Sequence, residues 1–126
     1  LQQSLAQTQR AIAQACGVDL AHVQRHVRDV RPPNGLFTPQ TLRQLRQWSY
    51  RPVMWSVVPE DWVRPGVETV VQRVLAQTGN GAHIVLHDGY HGGEDVAATV
   101  DRLIPQLLNR GYEFVTIDQL WQSDAA

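Results

Sequence analysis

The chemistry of this chain concentrates in three short stretches. In the first, a short apolar run, Ile84-Val-Leu86, ends abruptly in His87-Asp88-Gly89. That is the pattern of a buried strand handing a titratable side chain to the edge of a sheet. The second is Arg31-Pro-Pro-Asn-Gly35 and the third runs from Trp55 to Trp62, with Asp61 just before the second tryptophan. A carboxylate beside an imidazole favours the imidazolium form, which serves as a general acid near neutrality. Asp61 and His87 are therefore expected to form an acid dyad. Taken alone, His87 also fits a hydrogen-bonded structural histidine. Arg31, fixed by rigid prolines, can hold a carboxylate in bidentate geometry. The turn after it can aim backbone N–H groups at a developing oxyanion. Trp62, in a loop beside Asp61, suits the C–H face of a sugar ring, with core packing as its plainer role.

Metal chemistry has weaker support. His83, His87 and His91 recur at intervals of four, as do His22 and His26. On a helix that interval puts both rings on one face. On a strand, the 83 and 87 side chains stand about 13 Å apart, too far for one ion held at bonds of about 2 Å. His91 falls in a glycine-rich loop and could reach only if that loop folds back. Cys16 is the only cysteine, so no internal disulfide can form. It reads as a small buried residue; a Cys16–His hydrolase would need a positioned histidine that the sequence does not identify. Neither a phosphate-binding glycine loop nor a serine elbow is present.

The elements that must position these groups follow from pattern. Residues 2–15 keep apolar groups at helical spacing until Gly17 stops them. A short helix fits residues 20–25, and Val27 to Val30 alternates like a strand. Pro32 and Pro33 then force an extended chain, and Asn34-Gly35 is a turn pair open to positive φ. Thr38-Pro39 is an N-cap with proline at the first helical position. Val53 to Val58 reads as a strand ended by Pro59. A helix follows Pro65-Gly66, with Val67, Val70, Val71, Val74 and Leu75 on one face. Ala82 to Leu86 is the next strand. Glu94 to Asn109 is a long helix, expected to bury Val96, Val100, Leu103, Ile104, Leu107 and Leu108 and to bend or tolerate Pro105. Phe114 to Ile117 reads as a last strand and Asp118 as the cap of a final helical turn. This alternation implies parallel strands with helices outside. In such folds active groups gather at the C-terminal strand ends, where Arg31, the 59–62 segment and His87 all fall.

Composition is that of an ordinary globular chain. Its 126 residues are expected to form one domain, 43% hydrophobic and 18% charged. The net charge of −1, with arginine and no lysine, leaves no electrostatic footprint for nucleic acid. No apolar run reaches the length of a membrane span, and no signal peptide is visible. A start at Leu1 rather than Met says nothing about export.

In order, Arg31-Pro-Pro-Asn-Gly35, Trp55-Ser-Val-Val-Pro-Glu-Asp-Trp62, Ile84-Val-Leu-His-Asp-Gly89 and Arg110-Gly-Tyr-Glu-Phe-Val-Thr-Ile117 resemble the later motifs of the polysaccharide deacetylases, the NodB-homology domains of carbohydrate esterase family four. The helix Gln9 to Val18 is similar to the segment before their Arg-Pro-Pro motif. The resemblance implies a partial distorted (β/α) barrel over residues 1–126, the C-terminal portion of such a domain. It implies hydrolysis of acetyl groups from N-acetylated, or O-acetylated, polysaccharide. It further implies a divalent metal, zinc above all, in the complete domain, held by an Asp and a His-x-x-x-His pair. A second Asp there is the base. Neither motif has a match here, so no metal is expected on this chain alone.

Carried over by matching position, His87 is the general acid and Asp61 its tuning partner, and Arg31 orients the absent base. Pro33 and Asn34 border the substrate, with the Asn34 backbone N–H on the oxyanion, and Trp62 and Val85 line the acetyl and sugar pocket. Three positions depart from the family pattern: Asn34 replaces a usual Tyr, Val85 a usual Leu, and Val58 a frequent acidic residue. The expected partners are an acetylated polysaccharide and either the other half of the domain or a second copy. Cell envelope or secretion is the location that the family suggests. A catalytically inactive, carbohydrate-binding or structural remnant of the same fold is the alternative.

Overall fold

The computed structural model describes residues 1–89 and 93–123, so His91, expected in the glycine-rich loop, lies outside the described residues. Two compact units are present, Leu1–Met54 and Trp55–Ala126.

The first unit begins with α1 (Gln2–Cys16), ended by Gly17 in the left-handed conformation at φ 64°, as a C-terminal glycine should be. Its covered stripe is Gln9 and Ala13. Cys16 lies beyond that stripe in the last turn and is exposed, contrary to the expectation of a buried thiol. The short helix α2 (Leu20–His26) packs on α1. Buried Gln9 donates through Nε2 to the Val27 carbonyl at 2.8 Å, so its amide is not stranded. Next come β1 (Asp29–Val30) and a 3₁₀ turn, Pro33–Gly35, with Asn34 at φ 55°. The extended chain expected through the prolines is therefore shorter than predicted, while the positive φ falls where the turn pair placed it. Helix α3 (Pro39–Gln47) starts on the Thr38 cap, whose hydroxyl accepts from the Thr41 N–H at 3.1 Å. Leu45 is fully buried beneath it. Then β2 (Arg51–Pro52) pairs parallel with β1, Asp29 opposite Arg51 and Val30 opposite Pro52. Arg51 clasps Asp29 across this pair through two guanidinium nitrogens.

The second unit is built on α4 (Val67–Gln77) and α5 (Gly93–Asn109), which pack against each other. From α4, Val70, Val71, Val74 and Leu75 are buried, as its apolar stripe predicts. They meet Val57, Leu103 and Leu107 in one cluster. The covered face of α5 is Thr99, Leu103 and Leu107, a stripe at intervals of four. Ile104 and Leu108 are exposed instead, because that narrow stripe leaves them a turn-fraction away on the outer side. Pro105 is accommodated inside an unbroken helix. Helix α6 (Ile117–Ser123) closes the described chain.

The strands are shorter than their apolar runs. The Val53–Val58 run contributes the end of the β1–β2 pairing and a single parallel bridge, Val57 to Ile84. The Ala82–Leu86 run contributes the other side of that bridge. Phe114–Ile117 forms no strand among the described residues; Phe114 and Val115 are exposed and Ile117 already begins α6. A strand exists only where a neighbour completes its ladder, and apolar residues alone do not provide one. The class is nonetheless the expected one, helices alternating with parallel pairings.

Candidate active site

Asp61 and His87 lie in the second unit, and the geometry between them is specific. The parallel bridge sets it up. Val57 donates its N–H to the His83 carbonyl at 3.0 Å, and Val85 donates to the Val57 carbonyl at 3.1 Å. The two chain segments thus run side by side, and both leave the bridge toward the same end. Pro59, fully buried, ends the first segment. A 3₁₀ turn, Asp61–Val63, follows at once. On the second segment, His87 comes two residues after the buried Val85.

One Asp61 oxygen, Oδ2, accepts from the His87 backbone N–H at 2.6 Å. The other, Oδ1, lies 2.9 Å from the His87 ring nitrogen Nδ1. A carboxylate oxygen can only accept, so Nδ1 carries the proton of that bond. The remaining nitrogen, Nε2, is then the one that exchanges protons with an incoming group. Asp61 is only 8% exposed while the His87 side chain is 42% exposed. A buried anchor therefore holds a half-open ring, which is the arrangement a positioned proton donor needs. The Trp62 ring meets His87 edge-on, with centroids 5.2 Å apart and planes at 82°. It limits how the imidazole can turn and keeps an exposed aromatic face of its own.

Val85 is buried and serves the bridge through its main chain. In the first unit, Arg31 follows β1 and donates through Nε to the Val53 carbonyl at 3.2 Å. Pro33 and Asn34 form the exposed 3₁₀ turn beside it. The Asp61 bond to the His87 main chain has no sequence signature; only the side-chain pairing was foreseeable. Among the described residues, no group of three or more His, Cys, Asp or Glu side chains gathers where one ion could sit. The described residues do not fit a metal centre by themselves.

No family model matches the chain. A chitooligosaccharide deacetylase of Bradyrhizobium sp. (strain ANU 289) is 38% identical over 122 residues, covering 88% of this chain and 53% of that protein. A peptidoglycan-N-acetylglucosamine deacetylase of Bacillus cereus is 34% identical over 92 residues, 71% of this chain and 43% of the relative. Among solved structures, the Bc1960 peptidoglycan N-acetylglucosamine deacetylase superposes with a TM-score of 0.71 at 27% identity, covering 75% of this chain and 45% of that one. BA3943 of Bacillus anthracis, described as a CE4 family pseudoenzyme, gives a TM-score of 0.64 at 28% identity over 74% of this chain and 32% of its own. The chain belongs to the polysaccharide deacetylase family, carbohydrate esterase family four. The α/β architecture is accordingly that of part of a distorted (β/α) barrel. The chain spans about half the length of the curated relatives that it matches.

Proposed function

We propose that this chain supplies the proton-donating half of a site that hydrolyses acetyl groups from N-acetylated polysaccharide. The observation that carries the reading is the two-point grip of Asp61 on His87, through the main-chain N–H at 2.6 Å and the ring Nδ1 at 2.9 Å. It fixes the imidazole with Nε2 outward, ready to give its proton to a departing sugar amine. Deacetylation breaks a carbon–nitrogen bond, and an amine leaves readily only when protonated. The names of the relatives point to the same bond and to glycan substrates. Trp62, 40% exposed, offers its face to the sugar ring next to the dyad. Val85 bounds the acetyl end. Arg31, Pro33 and the backbone of Asn34 take the roles that the resemblance implies, orienting a base and binding the oxyanion. The base and a divalent metal, zinc above all, come from another part of the longer protein or from a partner.

On this reading the 126-residue chain alone releases no acetate from an N-acetylglucosamine oligomer and holds no zinc tightly. The longer protein carrying it, or the chain recombined with a portion that bears the base and metal ligands, does release acetate. Acetate release by the chain alone contradicts the division of labour. Failure of every combination contradicts the enzymatic reading.

The likeness to a pseudoenzyme favours a second reading, in which the surface around Trp62 binds glycan without hydrolysing it. Titration with a chito-oligosaccharide while following tryptophan fluorescence then gives a saturable change with no acetate formed under any combination.

A further inference from the structure

The 57–61 segment makes one backbone pairing to its neighbour and then turns sharply, yet it must place Asp61 to within a fraction of an ångström. The turn is costly. Glu60 before it and Arg64 after it both adopt the left-handed conformation, at φ 56° and 53°, which crowds Cβ against the following carbonyl oxygen in a non-glycine residue. Strain of this kind persists only where neighbouring groups hold it.

Helix α4 does the holding with side chains on one face, four residues apart. The Gln77 amide behaves like a missing strand. Its Oε1 accepts from the Val58 N–H at 3.1 Å, and its Nε2 donates to the Val58 carbonyl at 3.4 Å. One turn earlier, Arg73 donates through Nη1 to the Pro59 carbonyl at 2.9 Å and meets the Glu60 carboxylate at 3.3 Å. The segment is thereby gripped on one side by the bridge to Ile84 and on the other by α4. The helix itself is anchored by buried Val70, Val71 and Val74, so it transmits a rigid position.

We propose that Arg73 and Gln77 are positioning residues that set Asp61 against His87 by fixing the backbone of Val58, Pro59 and Glu60. Neither touches substrate or the reacting atoms. The proposal rests on the reading of His87 as proton donor for its meaning in catalysis, but not for its test. A shift of Asp61 by about 1 Å breaks both short contacts to His87, and a displacement of that size costs on the order of 10²-fold in rate.

The test is nitrogen-15 NMR of the histidine rings in the 126-residue chain. Neutral His87 in the unaltered chain is expected to show one tautomer, protonated at Nδ1. In the double variant Arg73→Ala with Gln77→Ala, the His87 signals move to a mixture of tautomers while the core methyl signals of Val71 and Leu103 keep their positions. Arg73→Lys, which keeps a donor for the Pro59 carbonyl, restores much of the single-tautomer signal. Where the double variant fails to fold, Arg73→Gln alone is read in the same way. Unchanged His87 ring signals in a folded variant lacking the clamp overturn the proposal. In the longer active protein, Arg73→Gln lowers kcat on the order of 10²-fold with KM little changed. An inactive parent would count against the functional reading and leave the ring-signal result standing.

Discussion

At the scale of single residues, Asp61 divides two duties between its two oxygens. Both are engaged by His87, one by its main chain and one by its ring, and the group is buried. Two substitutions separate these duties. Asp61→Asn keeps one oxygen for the main-chain N–H but turns an amide donor toward Nδ1, which then must accept and leave the proton on Nε2. Asp61→Ala removes both acceptors and strands a part-buried N–H, at a cost of about 1–3 kcal/mol. Ring-nitrogen NMR should therefore show the opposite neutral tautomer of His87 in the Asn variant. Chemical denaturation should show the larger loss of stability in the Ala variant. Equal stability of the two, with the ring tautomer unmoved, contradicts the assigned bonds. The side-chain pairing was legible in advance because His87 ended one apolar run and Asp61 lay in the loop just after another, in the order that the family motifs share. The main-chain bond was not, since any residue at position 87 would offer that N–H and only the register of the bridge brings it to Asp61.

At the scale of elements, helices were legible and strands were not. Thr38-Pro39, Gly17 and the valine stripe of α4 act through local geometry, which the sequence spells out within a few residues. The strands depend on partners far along the chain, so the runs 53–58 and 82–86 look alike on paper. The structure gives them one bridge, Val57 to Ile84. Arg73 and Gln77 depend on distant partners in the same way, since their bonds go to the backbone of Val58 and Pro59. Burial along α5 follows Thr99, Leu103 and Leu107 rather than every apolar residue. Leu107, 1% exposed, should thus cost about 2–5 kcal/mol on change to Ala, whereas Leu108→Ala, at 52% exposure, should cost well under that. Equal losses by denaturant unfolding would place the core of the second unit elsewhere.

At the scale of the whole molecule, the chain carries two compact units and matches about half of relatives such as the Bradyrhizobium deacetylase. The dyad and its tryptophan belong to the second unit; the Arg31 turn belongs to the first. Among the described residues, no group of three or more His, Cys, Asp or Glu side chains gathers in either unit. Phe114, Val115 and Leu108 leave apolar side chains exposed in the second unit. The fold class was readable from the alternation of helical and apolar segments. The division into two units was not, because no glycine- or proline-rich linker marks the boundary after Met54.

The most direct measurement of the central claim is acetate release from an N-acetylglucosamine oligomer by the longer protein with and without His87→Ala. A general acid held by Asp61 predicts a fall in turnover of about 10²-fold or more, with glycan binding retained. An unchanged rate in a folded, glycan-binding variant would contradict the assignment of His87 as proton donor.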